Sequence, residues 1–149
     1  MAGGDVDGLG VAGLAVGAVG VRTLGSRTGA VYVFRSVGDG DRSALDADGM
    51  VSGLESGSWT GSAVALGQLD DDAGLELVVG AKGGATALGA GGMVAVFREV
   101  PTGSIHLSEA DHRLYSGGRG SSLGVCPAIA DDIQGDGYPD LLAGAPLDS

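Results

Sequence analysis

The 149-residue chain contains no asparagine, so no N-glycosylation sequon can form. Its one cysteine, Cys126, excludes an intrachain disulfide and leaves the redox compartment open. Lysine occurs once, as Lys82, and Lys plus Arg total 8 against 19 Asp plus Glu, a formal charge of −11. A chain so poor in cations repels phosphate backbones and anionic membrane surfaces, which argues against nucleic-acid and membrane partners. No apolar run approaches the roughly 20 residues of a membrane-spanning helix. The best run, from Leu9 to Val21, is interrupted by glycine, and Asp5 and Asp7 precede it where a secretory leader carries basic residues.

Glycine, by contrast, is abundant, at 31 of 149 residues. Each glycine inside a helix is worse than alanine by about 1 kcal/mol, so a mostly helical fold is excluded. The hydrophobic share of 44% is too high for a disordered chain. An all-β fold with many tight turns follows.

The chain repeats itself. Leu14-Ala-Val-Gly-Ala18 returns as Leu77-Val-Val-Gly-Ala81 and again as Leu141-Leu-Ala-Gly-Ala145, at steps of 63 and 64 residues. Gly29-Ala-Val-Tyr-Val-Phe34 returns as Gly92-Met-Val-Ala-Val-Phe97, also 63 residues on. In the middle unit, strands are expected near 62–66, 75–81 and 93–97, with a weaker one near 105–107 or 113–115, because these stretches are apolar, β-branched or aromatic and bounded by glycine. Loops are expected at 36–42 and 82–91, and Asp48-Gly49 reads as a hairpin turn between Leu45 and Val51. Four strands in about 63 residues suggest one propeller blade per repeat. The expected organisation is a partial β-propeller of about two and a half four-stranded blades: residues 1–57 an incomplete first blade that starts at its acidic loop, 58–116 a complete second, and 117–149 the first half of a third. Further blades or another subunit would be needed to close a ring, which typically takes about 4–8 blades.

An acidic loop precedes each Leu-x-x-Gly-Ala strand. The third is Asp132-Ile-Gln134-Gly-Asp136-Gly-Tyr138-Pro-Asp140, the second Gln68-Leu-Asp70-Asp-Asp72-Ala-Gly74-Leu-Glu76, and the first Asp5-Val-Asp7-Gly-Leu9-Gly-Val11-Ala-Gly13. Oxygen-bearing side chains at alternate positions of a tight loop converge, and a backbone carbonyl can join them. Such a donor set suits Ca²⁺, a hard cation that takes about 6–8 oxygens at about 2.3–2.6 Å. Without a cation the carboxylates repel one another. An EF-hand is excluded, since its loop ends in a bidentate glutamate at position 12, where these loops carry Val16, Val79 or Ala143. The expected order of occupancy is the third loop, then the second, with the first empty for want of carboxylates.

These motifs resemble FG-GAP repeats, the unit of the integrin α-subunit propeller and of many microbial surface proteins. Asp132 to Pro146 is similar to the centre of that pattern and Gly29 to Phe34 to its end, while Leu123-Gly124 and Thr60-Gly61 stand where Phe-Gly belongs. The resemblance implies a seven-bladed β-propeller with structural Ca²⁺ in hairpin loops. The implied ligands are Asp132, Gln134, Asp136, the Tyr138 carbonyl and Asp140, with Gln68, Asp70, Asp72, the Gly74 carbonyl and Glu76 in the second loop. It also implies extracellular recognition or adhesion, with a protein or glycan ligand and no enzymatic activity. An accessory propeller of an extracellular enzyme, of phospholipase D or polysaccharide-cleaving type, and a non-functional fragment are the alternatives.

Several weaker patterns favour bland readings. Gly8 to Gly13 fits the dinucleotide pattern GxGxxG but lacks a helix to open, and reads as a degraded acidic loop. Gly120-Ser-Ser122-Leu-Gly124 fits a nucleophile elbow, yet His106 and His112 both precede Ser122, against the chain order of such hydrolases. His106, Glu109 and His112 fall at helical spacing, but Ser-Ile-His-Leu-Ser alternates like a strand, so both histidines are expected on an exposed outer strand. Cys126 is expected to pack inertly in the apolar stretch 123–129, and Trp59 at a blade edge.

Overall fold

The computed structural model describes residues 1–23, 25–86 and 89–147. Leu24, then Ala87 and Leu88 of the expected 82–91 loop, and Asp148 and Ser149 of the third unit lie outside the described residues. The fold is all-β, as expected, with two 3₁₀ turns at Ala44–Asp46 and Leu107–Glu109. In chain order the strands are β1 (Ala2–Gly4), β2 (Gly13–Ala18), β3 (Arg22–Thr23), β4 (Ser26–Arg27), β5 (Ala30–Phe34), β6 (Gly49–Ser52), β7 (Thr60–Gly67), β8 (Glu76–Ala81), β9 (Ala85–Thr86), β10 (Gly89–Ala90), β11 (Met93–Phe97), β12 (Gly103–His106), β13 (His112–Tyr115), β14 (Pro127–Ala130) and β15 (Asp140–Ala143).

Three sheets carry the fold. The first runs β1-β2-β5-β6-β12, the second β7-β8-β11-β13, and the third is the pair β14-β15. Neighbours within the second sheet are antiparallel throughout, so it is a simple meander in chain order. The first sheet is the same meander, β1-β2-β5-β6, joined by β12, which lies parallel to β6 and comes from the chain of the next unit. Such stacked sheets are compatible with part of a β-propeller, and no closed sheet occurs among the described residues.

Four sequence expectations need correction. The first unit has a strand ahead of its acidic loop, β1, whose Ala-Gly-Gly sequence carries no β-propensity signal. Asp48-Gly49 is no hairpin turn: Leu45 sits in a 3₁₀ turn, 96% exposed, and Asp48 turns its carboxylate back to accept the Arg35 N–H at 2.8 Å. The weak strand near 105 or 113 is two strands, β12 and β13, placed in different sheets. Finally, the expected 82–91 loop contains two paired strands, β9 and β10, as β3 and β4 pair one repeat earlier.

The stacking order explains the hydrophobic patterns. The second sheet lies between the other two, so β8 and β11 are buried on both faces and read as unbroken apolar runs, ELVVGA and MVAVF. Leu77, Val79, Ala81, Ala95 and Phe97 pack against Ala15, Val31, Val33 and Val51 of the first sheet. Val78, Val94 and Val96 meet Ile129, Leu141 and Ala143 of the third. Each such buried valine or leucine contributes up to about 1.5–3 kcal/mol of transfer free energy.

Glycine makes this close stacking possible. A β-carbon on Gly17 would lie 2.1 Å from the Gly61 carbonyl oxygen, and one on Gly80 would lie 1.9 Å from that of Gly124. These are the same contact one repeat apart. The hydrogen bonds repeat as well: Thr60 N–H donates to the Thr28 carbonyl as Leu123 N–H does to Gly91, both at 3.0 Å. Ser58 and Ser121 hydroxyls donate to the same two carbonyls, each at 2.7 Å. The 63-residue period is therefore the period of a sheet-to-sheet joint.

Candidate metal site in the second acidic loop

The second loop joins the antiparallel strands β7 and β8 of one sheet. Glu76 opens β8 with its side chain turned inward, and it is only 1% exposed. One carboxylate oxygen, Oε2, accepts the Leu69 N–H; the other, Oε1, is buried with no hydrogen-bond partner. Burial pushes this carboxyl above the ordinary glutamate range, against the Leu69 hydrogen bond, and the Asp70 and Asp72 charges push the same way. An unpartnered buried acceptor is costly, and a charged one more so.

Carboxylate oxygens of Asp70, Asp72 and Glu76 lie within 4.8 Å of one another. Two oxygens on opposite sides of a bound Ca²⁺ are about 5 Å apart, so one ion can touch all three. The loop backbone holds them there: Asp72 N–H donates to Asp70 Oδ1 at 3.0 Å and Gly74 N–H to Asp72 Oδ1 at 2.8 Å. The Gln68 amide nitrogen donates to the carbonyls of Asp70 and Asp72. On its outer side Asp70 Oδ2 accepts from Arg98, at 2.8 Å from Nη2 and 3.2 Å from Nε. The Asp72 N–H above all, and the Arg98 guanidinium after it, hold the Asp70 carboxyl below its ordinary range.

The third loop is arranged differently. Asp132 accepts backbone N–H groups from Gly135, Asp136 and Gly137, which hold its carboxyl below the ordinary aspartate range, Gly137 most strongly. Asp140 Oδ2 accepts from Ile133 and Gln134. Asp136 accepts the Tyr138 N–H at 3.0 Å and the Gln134 amide at 2.8 Å. These carboxylates serve the loop's own backbone, and among the described residues only the second loop brings three carboxylates together. In the first loop Asp5 accepts from Leu9 and Gly10, and Asp7 pairs with Arg35 at 3.4 Å.

Sequence reasoning missed the two arginines. Arg35 and Arg98 each follow a Val-Phe pair at a strand end, 63 residues apart, each 28 residues beyond its aspartate. The repeat phase alone was sufficient signal to find them. Sequence reasoning also placed Cys126 inside, whereas it is exposed. Cys126 lies in the bend ahead of β14, and it is Pro127, the first residue of that strand, that is buried.

The other patterns resolve into turns and strands. Gly13 opens β2 rather than a helix. Ser122 has φ 60° in the turn before β14, and Trp59, one repeat earlier, has φ 55°. Trp59 is 43% exposed, with Lys82 Nζ 5.2 Å from its ring centroid. His106 and His112 are exposed, on β12 of the first sheet and β13 of the second.

No protein-family model matches the chain. It is similar to integrin alpha-3 of Mus musculus, with 30% identity over 129 residues that cover 80% of this chain. The chain spans only 11% of that protein's length.

Proposed function

We propose that the chain is a run of β-propeller blades of the FG-GAP kind, with Ca²⁺ held structurally in the acidic loops and no catalytic activity of its own. The buried Glu76 with its unpartnered oxygen, set against Asp70 and Asp72, carries the calcium reading. A divalent ion there would turn three mutually repelling carboxylates into a cross-link between β7 and β8. Asp70, Asp72 and Glu76 would supply the charge and the Gly74 carbonyl a neutral oxygen. Gln68 would join after a flip of its amide. The third loop would offer Asp132, Gln134, Asp136, the Tyr138 carbonyl and Asp140 once an ion draws its carboxylates inward.

The wider role we propose is protein or glycan recognition within an extracellular adhesion-type module. The similarity to integrin alpha-3 and the stacking of meander sheets support it. Further blades would complete the ring. Calcium titration by calorimetry tests the metal reading. Wild type should give binding heat that falls in Glu76→Gln and in Asp136→Ala; no heat in wild type, or equal heats in all three proteins, would reject the loops as calcium sites.

A further inference from the structure

The second loop differs from the other two in combining converging carboxylates with a resident cation. Arg98 spends both its Nε and Nη2 groups on a single oxygen, Asp70 Oδ2. The other Asp70 oxygen is engaged by the Asp72 N–H. An ion drawing on Asp70 therefore competes directly with the guanidinium. In the first loop the matching Arg35 pairs more loosely with Asp7, at 3.4 Å, and is tied to the next unit through the Val100 carbonyl at 2.8 Å. No ion pair among the described residues reaches the third loop.

The surroundings of Arg98 give it somewhere else to go. Its backbone is pinned, because its N–H donates to Asp111 Oδ2 at 2.8 Å. Its side chain is 60% exposed and lines a cleft of about 570 Å³. Glu99, Glu109 and Asp111 line the same cleft. A guanidinium released from Asp70 thus faces a cleft lined by Glu99, Glu109 and Asp111, with Arg35 and Asp72 also in its lining, so the carboxylates outnumber the one other cation.

We propose that Arg98 is a built-in competitor for the cation of the second loop, occupying Asp70 when the loop is empty and swinging into the Glu99–Glu109–Asp111 cleft when an ion binds. This rests on the calcium reading of the loop given above. The ion would replace one charge partner of Asp70 by a stronger one and satisfy Glu76 Oε1 at the same time. The arginine sets a threshold, since weakly attracted cations would not displace it.

The test is calorimetric titration with calcium chloride alone, in an Asp136→Ala background that removes the third loop. Arg98→Met keeps the apolar stem and deletes the charge. An ion that draws on Asp70 must first break the exposed Arg98–Asp70 pair, a modest cost that the variant does not carry. Arg98→Met should therefore bind calcium more tightly, by roughly two- to five-fold. Calcium binding too weak to measure with Arg98 in place, and clear in Arg98→Met, would also support the competitor. Calcium binding of unchanged or lower affinity in Arg98→Met would overturn it and leave the loop assignment standing; no binding in either protein would overturn both. The Arg98 Nε–H resonance gives a readout that needs no variant at position 98. It should shift on calcium addition, and a fixed resonance beside a saturating binding isotherm would reject the swing.

Discussion

Replacing Glu76 by glutamine should change stability in opposite directions with and without calcium. Glu76 is 1% exposed and has one oxygen without a partner. Glutamine keeps an acceptor for the Leu69 N–H, removes the buried charge, and turns a donor toward Asp70 and Asp72. The relief from an unpaired buried acceptor is about 1–2 kcal/mol, equivalent to a rise of about 2–8 °C in Tm for a chain of this size. The folded carboxyl titrates above its ordinary value of 4.5, so it is an acid whose ionisation disfavours the fold. Its penalty is absent below the unfolded value, develops as pH rises above it, and is complete above the folded value. Calcium-free wild type and Glu76→Gln should therefore melt alike at low pH and diverge toward neutrality. With calcium at about 100 times its Kd, wild type gains about 2.7 kcal/mol that the variant loses, and the order reverses. Thermal melts by circular dichroism, in chelator and in calcium at two pH values, check this. A variant that is less stable than wild type in both conditions would refute the reasoning, because Glu76 would then be satisfied by the protein alone.

Three further outcomes are expected. Gly80→Ala should destabilise the fold by about 3 kcal/mol, by forcing a β-carbon against the Gly124 carbonyl. Gly103→Ala, at φ 73° with open space around it, should lose only about 1 kcal/mol; equal losses by urea denaturation would deny the joint between sheets its role. Asp132→Ala should speed amide hydrogen exchange at residues 135–137, whose N–H groups it accepts. Wild type should show the same loosening as pH falls through the lowered Asp132 value, and unchanged protection in the variant would count against this loop geometry. Cys126 should react with a maleimide in the native protein at the rate of an exposed thiol, and labelling that waits on unfolding would contradict its placement.

Much of the fold could be read in advance because the repeat is strong. Strands β7, β8 and β11 stand where Gly-bounded apolar runs predict them, and the acidic loops fall between strands as their spacing requires. What escaped was tertiary. No local property of Gly103–His106 says that it pairs with β6 of the preceding unit. Nothing in Ala-Gly-Gly marks β1 as a strand. The second loop looks poorer in sequence than the third, with a glutamine first and no glycine sixth. Its convergence comes from burial of Glu76 at the base of β8, which depends on the packed second sheet rather than on loop composition. Composition likewise placed Cys126 in a core, whereas it lies in the bend just before β14 and is exposed.

The parallel pairing of β12 with β6 has a consequence for how the molecule comes apart. A unit that frays takes an edge from its neighbour's ladder, so the two lose hydrogen bonds together. Successive units are in this sense not beads on a string but links already closed through one another, and a single sharp transition is the natural signature of such interlocking.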